Sequence, residues 1–375
     1  MRQKILTLSL TVLTIGFVNA QSSDKELKFG GRIMYDMAVW ENTTNDVATQ
    51  MSGTEFRRVR FYNSGKIYGN VKYKLQLDFA DGKIDFKDVW MELGELPFQG
   101  KVRIGNFKEP FRLESITSSK YITFMERALP IAMSKERNTG AMYHNIFGKK
   151  VSLQTGIFLQ GDSFGNDKEI ITKKVNITSR ITYLAMNDGN KLLHLGASNS
   201  IRKIRDKTYR FSSRAENHLG TNLLEIEFTD VEKTNIFGWE IAYVNNFLSI
   251  QAEYLQANVV EAVETELSSY YGQISYFLTG ESRLYISSLN GFGRVKPNNN
   301  YGGGGKGAFE LVARISNMDL AAANEGTLDD ITLGMNWYLN PYTRVMLNYV
   351  MGEKTDFSGE VTNEDAVMMR IQVDF

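Results

Sequence analysis

The sequence predicts an all-β protein, a single transmembrane antiparallel β-barrel, on three observations. Apolar and polar residues alternate over segments of about ten residues, long enough to cross a bilayer at a tilt. The chain opens with the pattern of an export leader. The composition holds 18 Tyr and 22 Phe but only 5 Pro and no Cys, which suits long paired strands because proline removes a ladder donor.

Alternation is clearest in Asn70–Phe79. There Val71, Tyr73, Leu75, Leu77 and Phe79 form one face and Asn70, Lys72, Lys74, Gln76 and Asp78 the other. It recurs in Lys174–Tyr183 and Ile331–Leu339. It also closes the chain, with Val367, Met369, Ile371, Val373 and Phe375 opposite Met368, Arg370, Gln372 and Asp374. Successive strand side chains point to opposite faces, so each segment has one apolar wall and one wet wall. A soluble sandwich alternates too. Two features favour a membrane barrel: Lys, Arg, Asp and Gln recur in mid-strand, and short turns (Asn187-Asp188-Gly189, Asn245-Asn246, Asn340-Pro341-Tyr342) contrast with long polar loops. About 16 to 18 strand candidates lie between Leu27 and Phe375. The region Asn199–Thr234 carries the weakest pattern; within it the basic run Ile201–Lys207 reads as an extracellular loop, and the glycine-rich Asn298–Gly305 reads as another.

At the N-terminus, Arg2 and Lys4 precede the apolar run Ile5–Val18, and Val18-Asn19-Ala20 fits a small-x-small cleavage site. Residues 1–20 are therefore assigned to a signal peptide and residues 21–375 to one barrel domain. Export combined with spanning strands places the chain in a bacterial outer membrane, with membrane lipid as its first partner. A terminal aromatic, Phe375, ending an alternating strand fits the same destination.

Composition also excludes functions. Without cysteine there are no disulfides, thiolate metal sites or cysteine nucleophile. The balance of 43 basic and 43 acidic residues gives no footprint for nucleic acid. Only His144, His194 and His218 are present, none in a catalytic motif, so no enzyme, cofactor or metal is expected.

Several blocks resemble the phosphate-selective porin O and P family. They are Glu55-Phe56-Arg57-Arg58-Val59-Arg60, Arg103–Phe111, Thr117–Arg127, Gly307–Arg314 and Leu333–Pro341, in the family's order. The stretch from about 160 to 300 matches poorly. The resemblance implies a trimeric barrel of 16 strands whose third extracellular loop folds into the pore. In this chain that loop corresponds to Lys108–Arg137. The residues agree: strand-like Lys101–Phe107 stops at Glu109-Pro110, and a long stretch then mixes aromatics with Arg112, Lys120, Arg127, Lys135 and Arg137. A loop of roughly 25 to 30 residues is uncommon without a function. Ser118–Leu129 is expected to form a short helix capped by Ser118 or Ser119.

Strand parity supplies the candidate pore-lining residues. With Val71, Tyr73 and Leu75 toward lipid, Lys72 and Lys74 face the lumen. With Val102 and Ile104 outward, Lys101 and Arg103 face inward. Arg58 and Arg60 point inward, leaving Arg57 nearer a rim, and Arg180 lies on the wet side of its strand. Together with Lys108, Arg112, Lys120, Arg127 and Arg137 of the loop they form the expected anion path, each open to the plainer reading of a solvated wall charge paired with a carboxylate such as Asp78, Asp88 or Glu92. The expectation is a water-filled channel for small anionic or polar solutes, with weak anion or phosphate selectivity. The alternatives are a nutrient channel using Tyr62, Tyr68, Tyr270, Tyr271 and Tyr276, an outer-membrane enzyme at His144, or a closed structural barrel.

Overall fold

A computed structural model describes residues 25–162, 164–166, 175–204 and 207–375. The expected leader, residues 1–20, lies outside them, as do Lys174 at the start of one predicted strand and Arg205-Asp206 of the basic run.

The chain forms β1 (Glu26–Thr44), β2 (Val47–Ile67), β3 (Val71–Asp78), β4 (Asp85–Leu96), β5 (Gly100–Lys108), α1 (Leu113–Ile116), β6 (Arg137–Phe147), β7 (Val151–Leu159), β8 (Asn176–Asp188), β9 (Lys191–Lys203), β10 (Tyr209–Ser213), β11 (Leu224–Phe228), β12 (Lys233–Asn245), β13 (Leu248–Val260), β14 (Glu264–Phe277), β15 (Tyr285–Ile286), β16 (Gly291–Phe292), β17 (Ala308–Asp319), β18 (Gly326–Asn340), β19 (Thr343–Asp356) and β20 (Val361–Asp374). Sixteen of these strands close into one barrel, each paired antiparallel with its neighbours. The hairpins β10–β11 and β15–β16 stand apart as two small sheets. The seam joins the first and last strands, with Asp36 opposite Arg370 and Arg32 opposite Asp374.

Parity holds along most of the wall. In β18, Ile331, Leu333 and Met335 are exposed while Asp330, Thr332 and Asn336 are buried. The turns joining β2 to β3, β4 to β5, β6 to β7, β8 to β9, β12 to β13 and β18 to β19 share one rim with both ends of the barrel chain, which is the periplasmic side in outer-membrane barrels. Exposed Tyr68, Phe98, Phe147, Phe247, Tyr301, Tyr342 and Phe375 ring that rim, as an interfacial aromatic girdle does.

The core is the lumen itself. Among the described residues, three segments enter it. The loop between β5 and β6 enters from the extracellular side, as does the β9–β12 connection carrying β10 and β11. The β14–β17 connection, with β15 and β16, enters from the periplasmic side. The β9–β12 segment is therefore more than the expected surface loop: Phe211, Leu224, Phe228 and Val231 pack with loop residues Leu129 and Met133 and wall residues Leu255, Val259 and Met346. The periplasmic segment packs Tyr285 and Phe292 against Leu113, Leu184, Leu192 and Val244. Its glycine-rich end is not wholly loose, since Tyr301 meets Trp337 edge-on with ring centroids 5.0 Å apart.

The predicted helix over Ser118–Leu129 does not form. The only α-turn in the loop is α1, whose Leu113 and Glu114 N–H groups donate to the Glu253 carboxylate at 3.0 and 2.7 Å. Beyond it the carbonyls that a helix would pair internally are taken by the surrounding protein. Lys120 O accepts from Gln372, Tyr121 O from Arg283, Ile122 O from Arg344, Thr123 O from Asn336, Met125 O from Arg370 and Glu126 O from Arg314. Buried backbone must be paired, and here side chains do it, so the segment runs as turns and bends instead of a helix.

Candidate functional site: the lumen passage

Two cavities lie between these inserts and the wall. One, of about 600 Å³, reaches the periplasmic rim and is lined by β1–β6 and the inner face of the Lys108–Arg137 loop. The other, of about 390 Å³, lies between β2, the same loop and residues 212–222 of the β9–β12 segment. They share Arg60, Arg127 and Glu136.

Charge is segregated in this passage although the chain is balanced. The larger cavity is lined by eleven basic residues: Lys28, Arg32, Arg60, Lys66, Lys72, Lys74, Arg103, Lys108, Lys120, Arg127 and Arg137. It has three acidic ones, Glu26, Asp88 and Glu136. The smaller has Arg57, Arg58, Arg60, Arg127 and Arg214 against Glu126, Glu136 and Glu216.

The predicted wall residues divide. Arg60, Lys72, Lys74 and Arg103 line the larger cavity, and Arg58 and Arg60 the smaller. Most are paired, as the plainer reading had it: Arg60 with Asp78 at 2.7 Å, Lys74 with Asp88 at 2.7 Å, and Arg103 with Glu92 at 2.6 Å. Arg103 also lies over the Trp90 ring, 4.1 Å from its centre. Lys101 is half-buried opposite His144 and lines neither cavity. Arg180 does turn inward, yet it is fully buried away from the passage. It is bound to Glu240 at 2.5 Å, with Asn290 O of the periplasmic insert 3.4 Å away. The sequence could not show that an insert covers it.

Of the loop residues, Lys108, Lys120, Arg127 and Arg137 line the larger cavity. Arg112 does not. Its backbone takes a left-handed φ of 68°, and its guanidinium donates to Pro130 O at 2.6 Å and Ser134 O at 3.1 Å, closing the loop on itself. Burial pushes the Lys120 ammonium down to about 8; Asp374 opposes the shift while Arg32 and Arg294 add to it. Burial would raise the Glu126 carboxyl, but Arg57, Arg58 and Arg370 hold it well below the usual range.

Arg57 corrects the parity argument. A bulge between Met34 and Tyr35 pairs them with Arg58 and Phe56, so Arg57 is the extra residue. It turns inward and grips Glu126 with two parallel bonds of 2.8 Å. Arg32 was also missed, though alternation of Phe29, Gly31 and Ile33 with Gly30, Arg32 and Met34 carried the signal. It donates to Ser119 Oγ at 2.5 Å. Glu136 had no periodicity to betray it.

The histidines and tyrosines are placed as follows. His144, His194 and His218 lie 3.0, 2.8 and 2.8 Å from Glu92, Glu240 and Glu55. Of the five candidate tyrosines, only Tyr62 lines either cavity among the described residues. Tyr68, Tyr270 and Tyr276 are exposed outside, and Tyr271 is buried against Glu253 and Gln251.

Comparison with known proteins agrees with this architecture. The model of the family described as phosphate-selective porin O and P matches residues 27–375. Porin O of Pseudomonas aeruginosa is 25% identical over 401 residues, covering 95% of this chain and 89% of that protein. An uncharacterised protein of Caulobacter vibrioides is 28% identical, covering 88% of this chain and 69% of its own. The solved anion-selective porin of Comamonas acidovorans superposes with a TM-score of 0.60 at 12% identity, over 94% of this chain and 100% of that one. Pseudomonas putida OprB superposes with a TM-score of 0.57 at 9% identity, over 94% of each chain. These last two likenesses show the fold. The chain is an outer-membrane porin and belongs to the phosphate-selective porin O and P family.

Proposed function

We infer that the channel passes small anions, phosphate among them, along the basic passage. The observation that carries this is the lining of the larger cavity, eleven basic side chains against three acidic ones. A narrow lumen strips part of an anion's hydration, and fixed cations replace it while raising the local anion concentration. Planar guanidinium forks suit tetrahedral oxyanions. Because Arg60, Lys74 and Arg103 are already paired with carboxylates, the preference is for anions broadly, with phosphate favoured and not exclusive. Arg60, Lys74, Arg103, Lys108, Lys120, Arg127 and Arg137 carry the path, with Arg58 on the outer approach. The cavities abut at Arg60, Arg127 and Glu136, which supports an open channel over a closed structural barrel.

The test is a planar-bilayer measurement. In a KCl gradient the zero-current potential has the sign of anion selectivity, and added phosphate reduces the chloride current while oligosaccharides do not. A cation-selective potential sinks this reading. Block by oligosaccharide favours a nutrient channel instead, for which Tyr62, Trp90 and Phe107 on the cavity wall would be the stacking surfaces.

A homotrimer is proposed from the family resemblance, and the wall height supports contact between copies. β3, β5 and β7 have 8, 9 and 9 residues, while β18 has 15. At about 3.3 Å per residue and a tilt near 40°, the short strands rise only about 20 Å against an apolar band of about 25 Å. A low wall is covered by packing against a neighbouring copy.

A further inference from the structure

We propose that Glu136 is an internal competitor for the transported anion and sets how long an anion stays at the junction of the two cavities. The inference rests on the anion-channel reading and adds the residue that limits its affinity. Glu136 is the last residue of the inward loop, and its main-chain oxygen accepts from Glu109 N at 3.1 Å, which fixes it at the foot of β6. Three cations converge on its carboxylate. Lys108 Nζ lies 2.7 Å and Arg127 Nη2 3.2 Å from Oε1, and Arg137 Nη1 lies 2.8 Å from Oε2. These donors come from three separate places: the end of β5, the loop and the start of β6.

One carboxylate among three cations leaves two positive charges in excess. Its oxygens also stand where those of a bound oxyanion would stand to use the same donors. Arg137 is shared with a second carboxylate, Asp88, at 3.0 Å, while Lys108 and Arg127 also donate to the Ser115 and Thr117 carbonyls of the loop. Burial alone would raise the Glu136 carboxyl, but Arg127, Lys108 and Arg137 hold it well below the usual carboxylate range, so it is charged wherever the channel works. An anion arriving at the junction must therefore displace a fixed negative charge or share its donors. Conduction needs binding favourable enough to enter and weak enough to leave. A tethered carboxylate supplies the second condition without removing the cations that supply the first.

The test is phosphate block of chloride current through the full-length channel in bilayers, for wild type, Glu136→Gln and Glu136→Asp. Gln keeps the size and removes the charge, so the phosphate concentration giving half-block should fall about tenfold, while the conductance at saturating phosphate falls because release slows. Asp keeps the charge but reaches fewer of the three donors, so half-block should tighten about twofold. A merely structural Glu136 predicts lower conductance with no tightening. Half-block unchanged or weakened in either variant overturns the proposal, and if Glu136→Gln fails to assemble, Glu136→Asp alone decides it. A wild-type channel that prefers cations overturns the anion-channel reading. An anion-selective wild type with no tightening in the variants overturns this inference alone.

Discussion

The two halves of the barrel wall use the same alternation for opposite ends. On β1–β6 the inward cations border open space. Lys72 is exposed, and Lys74 and Arg103 are about a quarter exposed beside their carboxylates. From β8 to β20 the inward arginines Arg180, Arg202, Arg314 and Arg370 are fully buried and bound to Glu240, Glu109, Glu216 and Asp36. Arg314, Arg344 and Arg370 also hold loop carbonyls. The difference is what lies opposite. Where an insert packs, an arginine becomes part of the scaffold that seats it; where none does, it faces the permeating ion. Parity decides which way a side chain points, and only the inserts decide what it then does.

The contrast breaks most sharply at Glu216, whose carboxylate accepts from Arg314, Ser316 and Thr332. Glu216→Gln leaves Arg314 buried with a weakened partner. Loss of a buried partner costs about 3–5 kcal/mol, so the β9–β12 segment should detach. Limited proteolysis within residues 207–232 should accelerate, and single-channel conductance should rise.

A change on the open half should do the reverse. Lys74→Met removes one cation from the passage and leaves Asp88 paired with Arg137. The anion-to-cation permeability ratio should fall about threefold, with thermal stability close to wild type.

A smaller effect follows from pH. Lys120, with its pKa pushed down to about 8, loses its charge as pH rises from 7 to 9, so anion selectivity should decline over that window. The linked stability runs the other way. A lysine whose folded value lies below its ordinary 10.5 binds fewer protons in the folded state, so stability rises with pH between about 8 and 10.5. Lys120→Met should abolish both trends, read from zero-current potentials and from melting at stepped pH.

Smallest of all is Lys72→Ala at the periplasmic mouth. It should lower chloride conductance by on the order of a tenth at 0.1 M salt and not measurably at 1 M, where screening removes it.

The barrel was legible in the sequence because each strand repeats one rule. The Asn70–Phe79 and Ile331–Leu339 alternations appear in β3 and β18 with the expected faces, and the three Asn-bearing turns join β8 to β9, β12 to β13 and β18 to β19. The sixteen barrel strands fall within the 16 to 18 that the alternation predicts. The interior was less legible. Phe211, Leu224 and Phe228 show no long period because they sit in a hairpin that packs irregularly, and nothing in residues 278–307 announces that a periplasmic turn enters the lumen. Arg180 and Arg112 were placed on the path because charge and parity are local, whereas the covering insert and the Pro130 and Ser134 carbonyls come from elsewhere in the chain. Arg57 was misplaced by a one-residue bulge. The helix expected over Ser118–Leu129 failed because the protein around it supplies the partners for its carbonyls.

The seam adds a constraint on how the molecule is made. Arg370 of the last strand binds Asp36 of the first with two bonds of 2.6 Å, and the same guanidinium reaches Glu126 of the loop at 2.8 Å and the Met125 carbonyl. Zipping the cylinder shut and seating its plug therefore converge on one side chain. A cylinder closed around an unseated loop would leave Arg370 short of Glu126 and Met125, and a seated loop in an unzipped sheet would leave it without Asp36. Both half-finished forms are penalised by the cost of a buried, under-paired cation. The arrangement disfavours the one by-product a cell could least tolerate in its envelope, a finished cylinder with an unguarded hole.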